Sequence, residues 1–331
     1  MKAAYIEATG PAEATIKYGD LPKPQPARGQ VLVRVGAVAV NPIDTYLRNG
    51  ANYWELPKPF IIGCDLAGTV EAVGPGTTHF KVGDRVWGSN QGLLGRQGTF
   101  AEYAAVDEHW LYPTPPNITD EQAAACALVG ITAHLGLFRD AKLEVGESIF
   151  VNGGSGGVGS MVVQMAKIAG ARVIATAGSA EKVAALKQLG AGAAVSYKTD
   201  DVAAAVKTFA PDGVNVYWET VREPDFDKTV SYLAERGRVV LMAGRDARPP
   251  FPVGPFYVKG CSLNGFVMFK ATAEEQRLCA DDINQWLTAG KLKAHISRVM
   301  PLAEAAAAHK LQEENTLQKA GTLCGKIVLK P

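Results

Sequence analysis

Short apolar runs in which β-branched residues recur with a period of two, cut by glycine and proline, fill the first third of the chain. Val31-Leu32-Val33-Arg34-Val35, Gly68-Thr69-Val70-Glu71-Ala72-Val73 and Asp84-Arg85-Val86-Trp87 read as strands on that pattern. Pro22-Lys23-Pro24-Gln25-Pro26 and Gly74-Pro75-Gly76 sit where such strands must turn. A β-rich, partly antiparallel domain is therefore expected up to residue 112.

The texture changes after Pro113-Thr114-Pro115-Pro116-Asn117. Thr119 and Gln122 have the spacing of a capping box, which predicts a helix from Asp120 to Ala127 and a domain crossing just beyond it. Strand and helix then alternate, as they do in a parallel sheet with helices on both faces. The expected strands are 148–151, 172–176, 193–196, 214–218, 238–242 and 262–267. Helices 157–169 and 179–189 lie between the first three, closed by Gly170 and Gly190. Helices near 273–289 and 301–313 and a last strand, 325–329, are too small to fold alone. They are assigned back to the first domain. The expected fold is α/β: a six-stranded doubly wound Rossmann domain at 127–270, and a β-rich catalytic domain made of 1–126 with 271–331.

A length of 331 residues agrees with two domains. The charge pattern removes some functions: 34 basic residues against 33 acidic ones, mixed along the chain, leave a net charge of +1. No field gathers nucleic acid or an anionic membrane, so neither is an expected partner. Met1-Lys2-Ala3-Ala4-Tyr5-Ile6-Glu7 has no apolar leader core, and the most apolar stretch, Ala123 to Phe138, carries Gly130, Thr132, His134 and Gly136. A cytoplasmic protein without a spanning segment is expected. The five cysteines are scattered with no CxxC, which argues against disulfides and structural zinc. Cys126 and His134 lie on an apolar helix and are expected in the core.

The chemistry is concentrated in Phe150-Val151-Asn152-Gly153-Gly154-Ser155-Gly156-Gly157-Val158-Gly159. Gly154, Gly156 and Gly159 satisfy GxGxxG, after an apolar strand and before an amphipathic helix, the context that a dinucleotide fold requires. Gly154 is expected to make the tight turn, Gly156 to let the backbone approach a pyrophosphate, and Gly159 to pack helix on strand. The phosphates would sit on the unpaired amides of the helix start. An NAD site needs an acidic residue at the end of the second strand, where this chain has Thr176-Ala177-Gly178-Ser179. Ser179 and Lys182 offer a hydroxyl and a cation to a 2′-phosphate instead, which favours NADPH. Lys182 as a solvated helix-face residue is the plainer alternative.

These motifs resemble the zinc-independent quinone oxidoreductases, the zeta-crystallin branch of the medium-chain dehydrogenase/reductase superfamily. The resemblance runs over nearly the whole chain. It is carried by Val40-Asn41-Pro42-Ile43-Asp44-Thr45-Tyr46-Leu47-Arg48-Asn49-Gly50, Gly63-Cys64-Asp65-Leu66-Ala67-Gly68, Val82-Gly83-Asp84-Arg85-Val86, Gly98-Thr99-Phe100-Ala101-Glu102-Tyr103, the glycine motif and Gly325-Lys326-Ile327-Val328-Leu329. It implies a GroES-like first domain. Zinc-dependent relatives carry a cysteine at Asn41 and Gly-His-Glu at Gly63-Cys64-Asp65, so a tetrahedral metal set is lacking and no metal is expected.

The resemblance also implies a site. Asn41 and Tyr46 are expected to face nicotinamide and substrate, with Thr132 near the ring. Ser155, Gly156, Gly157 and Val158 would bind the pyrophosphate, and Gly178, Lys182 and Tyr197 would surround the 2′-phosphate and adenine ribose. Ala243, Gly244, Phe266, Val267 and Lys326 would border the cofactor further along. Tyr46 reads equally well as a packed half-buried aromatic. The loop Gly88 to Gly98 and the segment Tyr53 to Pro57 are expected at the pocket mouth.

The expected activity is hydride transfer from NADPH to a quinone or activated enone, with Asn41 and Tyr46 holding the oxygen that becomes negative. Two alternatives are an alkenal or enoyl-thioester reductase of the same fold and a non-catalytic NADPH-binding protein of crystallin or RNA-binding use. A homodimer or homotetramer is implied, through the edge strand Ser262 to Val267.

Overall fold

The computed structural model describes residues 1–51 and 54–331; Tyr53, expected at a pocket mouth, lies outside the described residues. Two compact units divide the chain: Met1–Leu128 with Thr272–Pro331, and Val129–Ala271. The crossings fall at 128/129 and 271/272, against 126/127 and 270/271 expected from the sequence.

Strand β1 (Gln30–Val40) organises the first unit. Its 11 residues are long enough to pair antiparallel with β2 (Leu66–Val73) on one side and β3 (Tyr103–Asp107) on the other, leaving Val38–Val40 for the C-terminal strand. Val31, Val33, Val35, Val38 and Val40 are all buried, against Phe60, Ile62, Leu66, Val86 and Phe100. Each such side chain withdrawn from water contributes about 1.5–3 kcal/mol. Helix α1 (Pro42–Arg48) starts directly after β1, with proline in its first turn. The loop expected to shape a pocket mouth is mostly core: Ser89 to Leu93 are buried, and Leu94, Gly95 and Gln97 reach the surface.

Helix α2 (Asp120–His134) opens on the expected box: Thr119 N donates to Gln122 Oε1 at 2.9 Å, and Gln122 N to Thr119 Oγ1 at 3.3 Å. It does not stop at Ala127. It runs on through His134 and a π-helical turn, Leu135–Asp140. The glycines and polar residues that look like breakers are tolerated because close packing uses them. A Cβ on Gly136 would stand 2.3 Å from the Trp218 ring and 2.9 Å from Phe266. Among the described residues, Asp120–Asp140 is the one helical stretch long and apolar enough to cross a membrane, but 78% of its most apolar window is buried inside the protein. Cys126 and His134 are buried there, and His134 stacks edge-on against Phe138.

The second unit alternates β4 (Ser148–Asn152), α3 (Gly157–Ile168), β5 (Arg172–Ala177), α4 (Ala180–Gln188), β6 (Ala193–Ser196), α5 (Val202–Phe209), β7 (Val214–Glu219), α6 (Phe226–Tyr232), β8 (Leu233–Leu241), α7 (Val253–Val258) and β9 (Ser262–Gly265). The six strands form one parallel sheet in the order β6-β5-β4-β7-β8-β9. Phe150, Ile174, Val214, Tyr217 and Val239 make its core. The largest differences from the expected strand limits are that β8 begins at Leu233 and that β9 ends at Gly265, leaving Phe266 and Val267 beyond it. Helices α5 and α6, absent from the sequence reading, are capped by Asp201 and Asp225, whose carboxylates accept from Ala204 N and Lys228 N, both at 3.0 Å.

The chain then returns to the first unit through α8 (Ala273–Thr288), a strand at Ile296–Pro301, α9 (Ala305–Leu317) and β10 (Lys326–Lys330). The strand was not expected, and α9 begins four residues later than the predicted 301, because Leu302–Glu304 closes a 3-10 turn first.

Candidate functional site

Each unit carries a polar site of its own. In the second unit it lies at the carboxyl ends of β4, β5 and β7, where the strand order reverses between β4 and β7. Doubly wound sheets bind ligands at that reversal. The glycine loop leaves β4 there, and its glycines divide the work differently from the sequence reading. Gly153, not Gly154, adopts the left-handed conformation, with φ +82°. Gly154 is small for packing: a Cβ would stand 2.9 Å from Ala175 Cβ and 3.0 Å from Leu186 Cδ2. Gly159 would bring its Cβ within 2.4 Å of Gly153 O.

Gly156 has an ordinary extended backbone, and a Cβ on it would meet nothing nearer than Gly153 O at 3.7 Å. Neither strain nor protein packing demands glycine there; as the N-cap of α3 it is a favoured residue type, and it also leaves room for close approach of a ligand. The amides of Ser155, Gly157 and Val158 find no acceptor among the described residues, and no side chain caps α3. Unpaired donors at the start of a 12-residue helix, with its positive dipole end behind them, make an anion cradle. A pyrophosphate fits it.

Beyond β5 the structure brings four expected residues together. Gly178 abuts Tyr197, so a Cβ there would stand 2.5 Å from the tyrosine hydroxyl, and Tyr197 N donates to Ala177 O at 3.0 Å. Ser179 caps α4, its Oγ accepting from Lys182 N at 3.4 Å, and Tyr197 is exposed. No acidic side chain stands at Ala177, Gly178 or Ser179. Gly244, after β8, has φ +84° and lies against Arg222 O, with Ala243 beside it in the chain. Phe266 packs edge-on to Trp218 with the Arg139 guanidinium 5.6 Å from its ring, Val267 is exposed and Thr132 is buried on α2.

The first unit holds a buried polar cluster around Asn41. Lys326, expected to border the cofactor, belongs to this cluster. It is the first residue of β10, and its ammonium donates to Val40 O at 2.6 Å and to Asn41 Oδ1. Asn41 Nδ2 donates to Asp65 Oδ2 at 2.8 Å and to Ala39 O at 3.3 Å. The other Asp65 oxygen accepts from Ser89 Oγ at 2.7 Å and Leu128 N at 3.1 Å. Asn41 N donates to Asp44 Oδ2 at 2.8 Å. This corrects the expectation that Asn41 offers its amide to a substrate: it is fully buried, and both amide hydrogens are already used. Tyr46, on α1, is half-buried.

Burial dominates the electrostatics of this cluster. It pushes Asp44 up to about 7, with nearby Asp65 adding to the shift. Burial also raises Asp65, against the opposing pull of Lys326 and Asn41, and lowers Lys326 against the pull of both carboxyls. The Cys64 thiol is driven far up and Cys126 to about 12, again by burial, so neither is a thiolate near neutrality. Among the described residues, no group of three or more His, Cys, Asp and Glu is arranged to hold a metal ion.

Sequence reasoning gave no role to Asp44, Asp65, Ser89 or Glu219. The available signal was a carboxylate inside or at the end of an apolar run, as in Val214-Asn215-Val216-Tyr217-Trp218-Glu219.

With both sites described, comparison with known proteins places the chain. Residues 27–116 match the alcohol dehydrogenase GroES-like domain, and residues 157–282 the zinc-binding dehydrogenase domain. Human quinone oxidoreductase is 32% identical over 330 residues, 99% of this chain and 97% of that protein. The chloroplastic NADPH-dependent alkenal/one oxidoreductase of Arabidopsis thaliana is 35% identical over 257 residues, 76% of this chain and 64% of that one. A mycobacterial protein solved in complex with NADPH superposes with a TM-score of 0.87 at 32% identity, over the whole of both chains. The chain belongs to the medium-chain dehydrogenase/reductase superfamily, in its zeta-crystallin-like quinone oxidoreductase branch.

Proposed function

We propose that the protein is an NADPH-dependent, metal-independent reductase of quinones or activated enones. The observation that carries this reading is the run of unpaired amides that includes Ser155, Gly157 and Val158, beside a glycine that leaves room for a ligand. Ser155, Gly156, Gly157 and Val158 hold the pyrophosphate; Gly178, Ser179, Lys182 and Tyr197 hold the 2′-phosphate and adenine ribose; Thr132, Ala243, Gly244, Phe266 and Val267 border the rest. When bound, NADPH supplies the hydride.

The oxygen of the acceptor gains charge as hydride arrives, and Tyr46 is assigned to donate to it, with solvent as the final proton source. Asn41 is a positioning residue: it ties the start of α1 to Asp65 and Lys326. Metal independence is supported by the residues at the zinc positions, since Asn41 and Asp65 are bonded to each other and Cys64 stays protonated.

The wider reading is a cytoplasmic homodimer or homotetramer that associates through the β9 edge. Steady-state assays of the purified protein with 1,4-naphthoquinone and an alkenone are the test. NADPH oxidation with both NADPH preference over NADH and less than stoichiometric zinc supports the proposal; preference for NADH, or one zinc per chain, overturns it. Turnover of the alkenone or an enoyl thioester without the quinone would select the alkenal or enoyl-thioester reading within the same fold.

A further inference from the structure

Beneath the glycine loop, a line of hydrogen bonds crosses three strands. Glu219, the last residue of β7, is 2% exposed. Its carboxyl accepts from Asn152 Nδ2 at 3.0 and 3.1 Å and from Val221 N at 2.7 Å. Asn152 Oδ1 accepts from Thr176 Oγ1 at 3.1 Å, and Thr176 Oγ1 accepts from Gly153 N at 2.9 Å. The register sets Glu219 opposite Asn152, and Ala175 opposite Val151, so the three strand ends lie side by side. The line ends on the residue whose left-handed backbone starts the loop.

Among the described residues, no Lys or Arg forms an ion pair with Glu219. Lys228 on α6 acts on it through space, and Tyr217 on its own strand feels its charge. The facing strands present Asn152 from β4, Thr176 from β5 and Leu241 from β8, none of them charged. A buried carboxyl with neutral partners is held close to its protonation midpoint: burial pushes Glu219 up to about 7.

We propose that Glu219 is a positioning residue for the dinucleotide, which sets the Gly153 amide through Asn152 and Thr176 and takes up a proton from solvent when the anionic cofactor docks. This rests on the NADPH reading above. By turning the Gly153 N–H inward, the line leaves the amides of Ser155, Gly157 and Val158 as the outward donors. A phosphate charge on the order of 10 Å from an ionised Glu219 would cost about a tenfold loss in affinity at an effective dielectric near 20. The neutral acid carries no such penalty. Cofactor affinity is therefore highest with Glu219 protonated and falls as pH rises through neutrality.

Calorimetric titration of the full-length protein with NADPH, from pH 6 to 8.5 in two buffers of different ionisation heat, reads the proton directly. Wild type should take up a fraction of a proton near pH 7, and its Kd should rise about tenfold between pH 6 and 8. Glu219→Gln should lose that uptake, leaving only what the 2′-phosphate contributes in both proteins. Thr176→Val breaks the line without touching the carboxyl and should raise the KM for NADPH about tenfold, more than it lowers kcat, with Thr176→Ser restoring it. Equal proton uptake in wild type and Glu219→Gln, or an unchanged KM in Thr176→Val, overturns the role of Glu219. If Glu219→Gln fails to fold, the Thr176 pair decides. Absence of NADPH binding by wild type overturns the cofactor reading itself, and this inference with it.

Discussion

An asparagine side chain has two hydrogens to give and one carbonyl oxygen to offer, and Asn41 has committed all three. Its neighbour Asp44 carries a pH signature. Folded Asp44 keeps its proton up to about pH 7, whereas an ordinary aspartate releases it near 3.8. Between those values the folded state binds the extra proton, so this group's contribution to stability declines as pH rises and levels off above 7. Asp44→Asn removes the titration while keeping an acceptor for Asn41 N. Urea denaturation at pH 5 and pH 8 should show the variant gaining stability relative to wild type at the higher pH. A constant difference would mean that Asp44 is ionised in the folded protein.

The glycines of the loop allow a paired prediction at the same scale. Gly159→Ala forces its Cβ to 2.4 Å from a backbone oxygen and should cost about 1–3 kcal/mol in stability. Gly156→Ala meets only ordinary contact at 3.7 Å, so its Tm should stay within about 2 °C of wild type. NADPH affinity measured by fluorescence should nevertheless fall about tenfold, because the added methyl displaces a phosphate from the amides. Loss of stability without loss of affinity in Gly156→Ala would remove the ligand-approach argument.

Among the elements, those with a strong local period and a clear stop were legible. The parallel strands could be read because most are short apolar runs rich in β-branched residues, and α3 and α4 because Gly170 and Gly190 end them with φ of +81° and +104°. Helix α2 was read too short, since residues that break an isolated helix are tolerated in one packed on Trp218 and Phe266. Its start is local and testable. Thr119→Ala removes the hydroxyl that accepts from Gln122 N and should lower stability by about 1 kcal/mol in chemical denaturation, with no change in NADPH affinity. Helices α5 to α7 escaped because six to eight residues give too few turns for a period to show.

At the scale of the whole molecule, the edge strand β9 and the helix before it expose apolar side chains: Leu263 is 41% exposed, and Tyr257 and Val258 are each 69%. An open parallel edge with such a margin suits pairing with a second copy across a twofold axis. Leu263→Lys with Val258→Glu should convert the proposed dimer to a monomer in size-exclusion chromatography with light scattering. A wild-type monomer would sink the proposed assembly.

Fold class, the order of the six parallel strands along the second unit and the glycine motif were determined by the sequence alone, because periodicity, turn chemistry and helix ends are set by residues within a few positions of one another. The partners of Asn41, the place of Lys326 and the line from Glu219 to Gly153 were decided only by the tertiary structure. Those contacts join residues 24, 285 and 67 positions apart (Asn41 with Asp65, Asn41 with Lys326, Asn152 with Glu219). Whether a carboxylate is solvated or buried among neutral donors depends on that long-range packing, and so does the proton it holds.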